Sequence, residues 1–141
     1  MNVDEIKNGF VIDHIKAGKG MEIYRLLGLE HLDCPIAIIK NAFSGRMGKK
    51  DIIKVDSPNV EIDLSVLGYI DPEMTVNIIK DGANVKKYHP ELPLEMVDIV
   101  KCKNPRCITS TEQELPHVFK LTDAETRTYR CIYCEAKAEH N

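Results

Sequence analysis

Cys102-Lys-Asn-Pro-Arg-Cys107, followed after twenty-three residues by Cys131-Ile-Tyr-Cys134, decides how the end of this chain folds. Two closely spaced cysteine pairs separated by a longer loop form the usual layout of a closed four-thiolate metal site. Each short loop returns the chain so that both sulfurs reach one ion. Thiolate suits zinc or an iron–sulfur cluster, and spacing alone does not separate the two. All four positions are filled by protein, so such a site holds structure together and leaves no open position for catalysis. Lys101, Lys103, Arg106 and Arg130 flank the ligands and offset the negative charge of a tetrathiolate.

The remaining cysteine, Cys34, precedes Pro35 and reads as a small buried hydrophobe at a strand start. The N-terminus lacks the layout of a signal peptide, and no apolar run is long enough to span a bilayer. A cytosolic protein is expected, where paired cysteines are metal ligands rather than disulfides. A redox role for Cys131 and Cys134 is disfavoured, because no thioredoxin-like βαβ context surrounds them.

Outward from the cysteines, Leu94 to Val100 leads into the metal segment, and Leu115 to Phe119 and Thr126 to Arg130 read as small strands. This segment is too short to bury an adequate core, and a bound metal supplies on the order of 10 kcal/mol or more in such modules. His89-Pro-Glu-Leu-Pro93 is a proline-punctuated break, giving two domains, 1–93 and 94–141.

The first domain alternates strands and helices. Phe10 to Ile15 is a β-branched apolar run, and Met21 to Leu29 has helical spacing with Gly28 at its end. Pro35 to Phe43 and Asp51 to Asp56 read as strands joined by the hairpin connector Ser44 to Lys50. A second helix is expected from Pro58 to Ile70, and Thr75 to Ile79 is a fourth strand. After the Asp81-Gly82 turn, Ala83 to Tyr88 adds a fifth. The order βαββαβ is the ferredoxin-like arrangement, an α+β fold whose two helices cover one face of an antiparallel sheet. The other face, or a sheet edge, stays free for a ligand or partner.

With 19 basic against 22 acidic residues, few aromatics and no tryptophan, the composition disfavours a nucleic-acid binder. A zinc-ribbon module bound to nucleic acid is nevertheless the competing reading that four cysteines allow. Asp13-His14 invites a general-base reading, but no nucleophile stands at a recognisable motif distance.

Val11-Ile-Asp-His-Ile15, Ser44-Gly-Arg-Met-Gly-Lys-Lys-Asp-Ile-Ile-Lys54, Thr75-Val-Asn-Ile-Ile79 and the four cysteines with Asn104 and Tyr133-Cys-Glu135 occur together in one order. In this combination the chain resembles the regulatory chain of aspartate carbamoyltransferase over nearly its whole length. The resemblance implies a non-catalytic subunit of pyrimidine biosynthesis that binds the effectors CTP and ATP in its first domain. It implies one structural zinc per chain, held by Cys102, Cys107, Cys131 and Cys134, in a domain that docks on a separate catalytic chain. It also implies self-pairing through the first domain and a dodecamer of two catalytic trimers and three regulatory dimers.

Carried over residue by residue, Asp13 and His14 face ribose and phosphates, Lys54 reads the ribose and base region, and Asn77 and Lys87 approach the triphosphate. Val3, Asp4, Ile6, Val11, Ile52 and Ile79 line base and sugar, with Lys50 a further basic group. Asn104 and Glu135 are the implied contacts to the catalytic chain. Two departures from the family's pattern bear on the pocket. Gly82 stands where members can carry a larger residue beside the base. Only Met1 and Asn2 precede the matching segment, where some members place a basic residue that accompanies a second nucleotide and magnesium.

Overall fold

Alternation of apolar and polar residues along Gly9–Lys16 makes this segment, β1, the centre of the first unit. Phe10, Ile12 and Ile15 are buried, whereas Val11, Asp13 and His14 are only partly covered. The computed structural model describes residues 6–58 and 62–139 of the chain. After β1 come helix α1 (Gly20–Leu26), a 3-10 turn (Leu29–His31), β2 (Ile36–Ser44), β3 (Gly48–Asp56), α2 (Val66–Ile70), β4 (Thr75–Lys80) and β5 (Ala83–Tyr88). The five strands form one sheet in the order β2-β3-β1-β4-β5, and every neighbouring pair is antiparallel. The first four reproduce the expected ferredoxin-like βαββαβ order, with β5 added at the edge.

The register explains the core. Phe10 lies opposite Val55 and Ile78, and Ile12 lies opposite Ile53 and Val76. These side chains join Ile23 of α1 and Leu67 of α2 in one buried cluster. Both helices therefore pack on the Phe10–Ile12 face. Val11, Asp13, Ile52, Lys54, Asn77 and Ile79 have the opposite strand parity.

Several boundaries moved for physical reasons. Helix α1 ends at Leu26, short of the apolar spacing that runs to Leu29, and Gly28 terminates it as expected by taking the left-handed conformation (φ 68°). The second helix does not begin at Pro58. Asp63 Oδ1 accepts the Ser65 N–H at 2.9 Å, and helical structure starts only beyond that turn. Residues 59–61 of that expected helix lie outside the described residues. The Asp81-Gly82 turn forms as read, with φ of 51° and 79° at its two central residues.

The chain divides into compact units at Pro90 and Glu91, three residues before the expected boundary. Pro93 belongs with the second unit because its carbonyl accepts the Tyr129 hydroxyl, and Leu94 O accepts the Leu121 N–H at 3.0 Å. That unit is a three-stranded antiparallel sheet, β6 (Glu95–Val97), β7 (Val118–Asp123) and β8 (Thr128–Cys131), packed around Met96, Phe119 and Tyr129. Strands β7 and β8 begin later than expected. Leu115 N bonds Glu112 O in a turn, and Pro116 has no N–H to give a ladder. Among the described residues no helix is long and apolar enough to cross a membrane.

Candidate functional site

The second unit gathers its cysteines from two tight turns. In the first, Asn104 Oδ1 accepts the Arg106 N–H at 3.0 Å and Asn104 O accepts the Cys107 N–H at 3.0 Å. In the second, Cys131 O accepts the Glu135 N–H at 2.9 Å, with Glu135 itself in the left-handed region (φ 65°). Both turns aim their sulfurs inward. Cys102 and Cys134 Sγ lie 3.6 Å apart, Cys107 and Cys131 Sγ 3.7 Å apart, and all four sulfurs lie within 4.8 Å of one another. Metal–sulfur bonds of about 2.3 Å in a tetrahedron require sulfur separations of about 3.8 Å. The cluster fits one four-coordinate ion, and its sulfurs are too far apart for disulfides.

Around the sulfurs, His117 Nδ1 accepts the Cys102 N–H at 3.0 Å, and the buried Thr109 hydroxyl donates to Cys107 Sγ at 3.1 Å. The thiols are split in acidity. Burial pushes Cys102 up to about 12. Burial also opposes ionisation of Cys134, but the Ala136 N–H and the Asn104 amide outweigh it and bring that thiol to about 7. A metal overrides this split by taking all four as thiolates. Asn104 therefore shapes the metal turn, while Glu135 is exposed and its carbonyl accepts Arg130 Nη1 at 3.0 Å.

In the first unit the implied nucleotide residues converge on the sheet face away from the helices. Val11 stands opposite Lys54 on β3 and Asn77 on β4, and Asn77 stands opposite Lys87 on β5. Lys54, Val11, Asn77 and Lys87 therefore form one row across four strands. Ile79 lies opposite Gly9 on the adjoining row, and Ile52 lies one alternation from Lys54 along β3, opposite Ile39 of β2. Asn84 Nδ2 donates to Asn77 Oδ1 at 2.9 Å, which orients that amide. Ile6 precedes Lys7, whose carbonyl accepts the Gly82 N–H at 2.9 Å, so the β4–β5 turn sits against the start of the chain's described part. Val3 and Asp4 lie outside the described residues.

Beside the row, farther along β1 and β3, lies a charged group. A bulge between Ile12 and Ile15 in the β1–β3 pairing puts His14 at φ 59° and takes the Asp13-His14 pair out of that ladder, while Asp13 still faces Thr75 on β4. Asp13 Oδ1 accepts the His14 N–H at 2.6 Å and pairs with Lys50 Nζ at 2.9 Å. Burial pulls Asp13 upward, but the Lys50 bond and the His14 N–H win and hold its carboxyl below the ordinary value. His14 Nδ1 lies 3.1 Å from the buried Thr75 hydroxyl. Burial lowers the His14 pKa, and the positive charges of Lys50, Arg46 and Lys87 add to that against the pull of Asp13. Such a cluster of cations beside a carboxylate and amide is suited to a polyanion carrying hydroxyl groups.

Sequence reasoning missed Asp51, Thr75 and Arg46. Asp51 is fully buried and shares strand parity with the core residues Ile53 and Val55. A carboxylate at a core parity position was the signal available to find it.

Residues 1–91 match the family described as the aspartate carbamoyltransferase regulatory chain, allosteric domain, and residues 95–141 match the metal binding domain of the same regulatory chain. Among curated relatives, the aspartate carbamoyltransferase regulatory chain of Clostridium tetani is 48% identical over 135 residues, covering 96% of this chain and 94% of that one. The regulatory chain of Clostridium botulinum is 49% identical over 135 residues, covering 96% and 92%. That of Bifidobacterium longum is 39% identical over 139 residues, covering 99% of each. The chain belongs to the aspartate carbamoyltransferase regulatory chain family, with an allosteric domain followed by a metal-binding domain, and is a non-catalytic subunit.

Proposed function

We propose that the chain binds CTP and ATP on the open face of its five-stranded sheet and transmits their presence to a catalytic chain docked on a zinc-bearing second unit. The observation that carries this reading is the row Lys54–Val11–Asn77–Lys87 with the Asp13–Lys50 pair and His14 beside it, farther along β1 and β3. Lys50, Lys87 and His14 neutralise phosphate charge, Asp13 accepts a ribose hydroxyl, and Lys54 reaches the ribose and base. Val3, Asp4, Ile6, Val11, Ile52 and Ile79 border base and sugar. ATP and CTP share the triphosphate, so their opposite effects originate where the bases differ, around Ile6, Gly82 and Lys54.

Zinc is the ion that best suits a closed site of four thiolates without redox chemistry. Its role is to hold the two turns that present Asn104 and Glu135 to the catalytic chain. Self-pairing through the first unit is supported by β2, an edge strand that holds Phe43 out at 87% exposure. Such pairs tie two catalytic trimers into a dodecamer in the cytosol. An effector acts through its difference in affinity for two states of that assembly, a coupling of about 1–3 kcal/mol.

The test is to mix the chain with its cognate catalytic chain and measure aspartate saturation with and without CTP or ATP. A shifted curve is expected. Curves that superimpose, with the complex formed, overturn the reading.

A further inference from the structure

The side chain of Asp51 is sealed from solvent, yet its carboxylate makes three bonds to backbone. Oδ2 accepts the N–H of Gly18 at 3.1 Å and of Gly20 at 3.0 Å, and Oδ1 accepts the N–H of Asn41 at 3.0 Å. Gly18 belongs to the turn leaving β1 and Gly20 opens α1, whereas Asn41 belongs to β2. A single side chain on β3 thus ties β2 to the segment that joins β1 to α1.

At the level of Asp51 both β1 and β2 depart from regular pairing. On β1 the register shifts between Ile12 and Ile15, with Ile15 facing Asp51. On β2 it shifts between Ile39 and Ala42, with Asn41 at φ 59°. The β1 irregularity contains Asp13 and His14, and Lys50, the ion-pair partner of Asp13, is the chain neighbour of Asp51. Gly20 fits this arrangement closely, since a Cβ there would lie 2.8 Å from Asp51 Oδ2.

We infer that Asp51 is a positioning residue for the effector site: by anchoring β2 and the turn that leaves the bulged β1 from the core side, it sets the Asp13, His14 and Lys50 groups on the open face. The inference rests on the nucleotide reading above. Asp51 touches no ligand itself and acts through the backbone it holds. An unanchored β1 turn would let the bulge relax toward regular pairing, which swings successive side chains to opposite faces.

The test uses the full chain with metal bound and two substitutions, Asp51→Asn and Gly20→Ala. Asparagine keeps the shape but turns an amide N–H toward a backbone N–H, whereas alanine pushes on the carboxylate from the other side. CTP affinity is read by calorimetry, the His14 imidazole titration by NMR, and folding by thermal melting and metal content. Both variants are expected to stay folded with metal retained and to bind CTP about tenfold more weakly. The His14 midpoint should move back toward that of an ordinary imidazole, a change that loss of global stability alone would not produce. Should Asp51→Asn not fold, Gly20→Ala carries the same test. Wild-type CTP affinity and an unmoved His14 midpoint in the folded variants overturn the inference, as does weaker binding with His14 unmoved. Failure of the wild-type chain to bind CTP overturns the nucleotide reading instead, and the His14 titration still decides whether Asp51 positions that group.

Discussion

Lys50 Nζ lies 2.9 Å from Asp13 Oδ1 across the β1–β3 pair, and both side chains are largely covered, at 16% and 24% exposure. The pair lies beside the row that carries Lys54, Asn77 and Lys87, farther along β1 and β3. Because the folded-state pKa of Asp13 is lowered, its ion pair stabilises the fold above the unfolded carboxyl value, and that stability is lost as pH falls through the folded value. Asp13→Asn should therefore cost about 1 kcal/mol near neutrality. Its disadvantage relative to the parent should shrink once pH falls below the ordinary carboxyl value of 3.8. Urea unfolding at a series of pH values checks both, and a constant gap down to the most acid point would contradict the assignment.

His14 offers a second, independent readout. Its pKa is lowered by burial and by Lys50, Arg46 and Lys87, so the free imidazole is mainly neutral at neutral pH. A bound triphosphate reverses this balance by favouring the imidazolium. CTP binding should take up a proton and tighten as pH falls from 7 toward the His14 midpoint. Calorimetry in buffers of differing ionisation enthalpy measures the uptake, and His14→Ala should abolish it.

How far the fold was legible depends on where the deciding contacts lie. Strands β1 and β4 and the Asp81-Gly82 hairpin follow from local alternation and turn chemistry, and they lie where the residues placed them. The four cysteines were legible because ligand spacing is itself local. Helix α2 was overextended because Pro58 and the apolar spacing outweighed the small signal of Asp63 capturing the Ser65 N–H. The two bulges were invisible for a different reason. Nothing in Lys40-Asn41 marks the β2 bulge, since the Asn41 N–H is accepted by the buried Asp51 on β3. At the β1 bulge, an Asp-His pair on a strand gives no local notice that Asp13 Oδ1 accepts the His14 N–H. The open-face residues were found through family resemblance, because an isolated lysine on a strand has no local mark of function.

Metal removal should separate the two units. The second unit has a small core of Met96, Val118, Phe119 and Tyr129, and its buried Cys107 and Cys131 are themselves part of that interior. Without a metal, those sulfurs must be buried as thiols, with Cys102 held at about 12. Treatment with a thiol-reactive mercurial should release one divalent ion per chain, unfold the second unit and abolish binding to the catalytic chain. CTP affinity in the first unit should be largely unchanged. Retained assembly by the metal-free chain would remove the docking role from the thiolate site.

The core face makes a prediction that does not depend on any ligand. Ile12 is fully buried between Ile53 on one side and Val76 on the other. Ile12→Ala should destabilise the first unit by about 3 kcal/mol, through lost burial and the cavity left behind. Val11→Ala, one residue away but on the open face, should cost much less stability while weakening CTP binding. Paired urea titrations and calorimetry on the two variants test the face assignment, and the opposite pattern would reverse it.

Gly82 allows base selectivity to be probed apart from stability. Its φ of 79° is left-handed, but among the described residues a Cβ there would meet nothing within 4 Å. Backbone conformation rather than space therefore limits what the position accepts. Valine should cost about 1–2 kcal/mol, whereas asparagine, which tolerates this region, should cost less. Since Gly82 N–H bonds the Lys7 carbonyl beside Ile6, a side chain added here projects near the proposed base end of the pocket. Gly82→Asn should leave the melting temperature close to the parent's and change the ratio of CTP to ATP affinity. An equal change for both nucleotides would place the base elsewhere, because a contact to the shared triphosphate cannot discriminate between them.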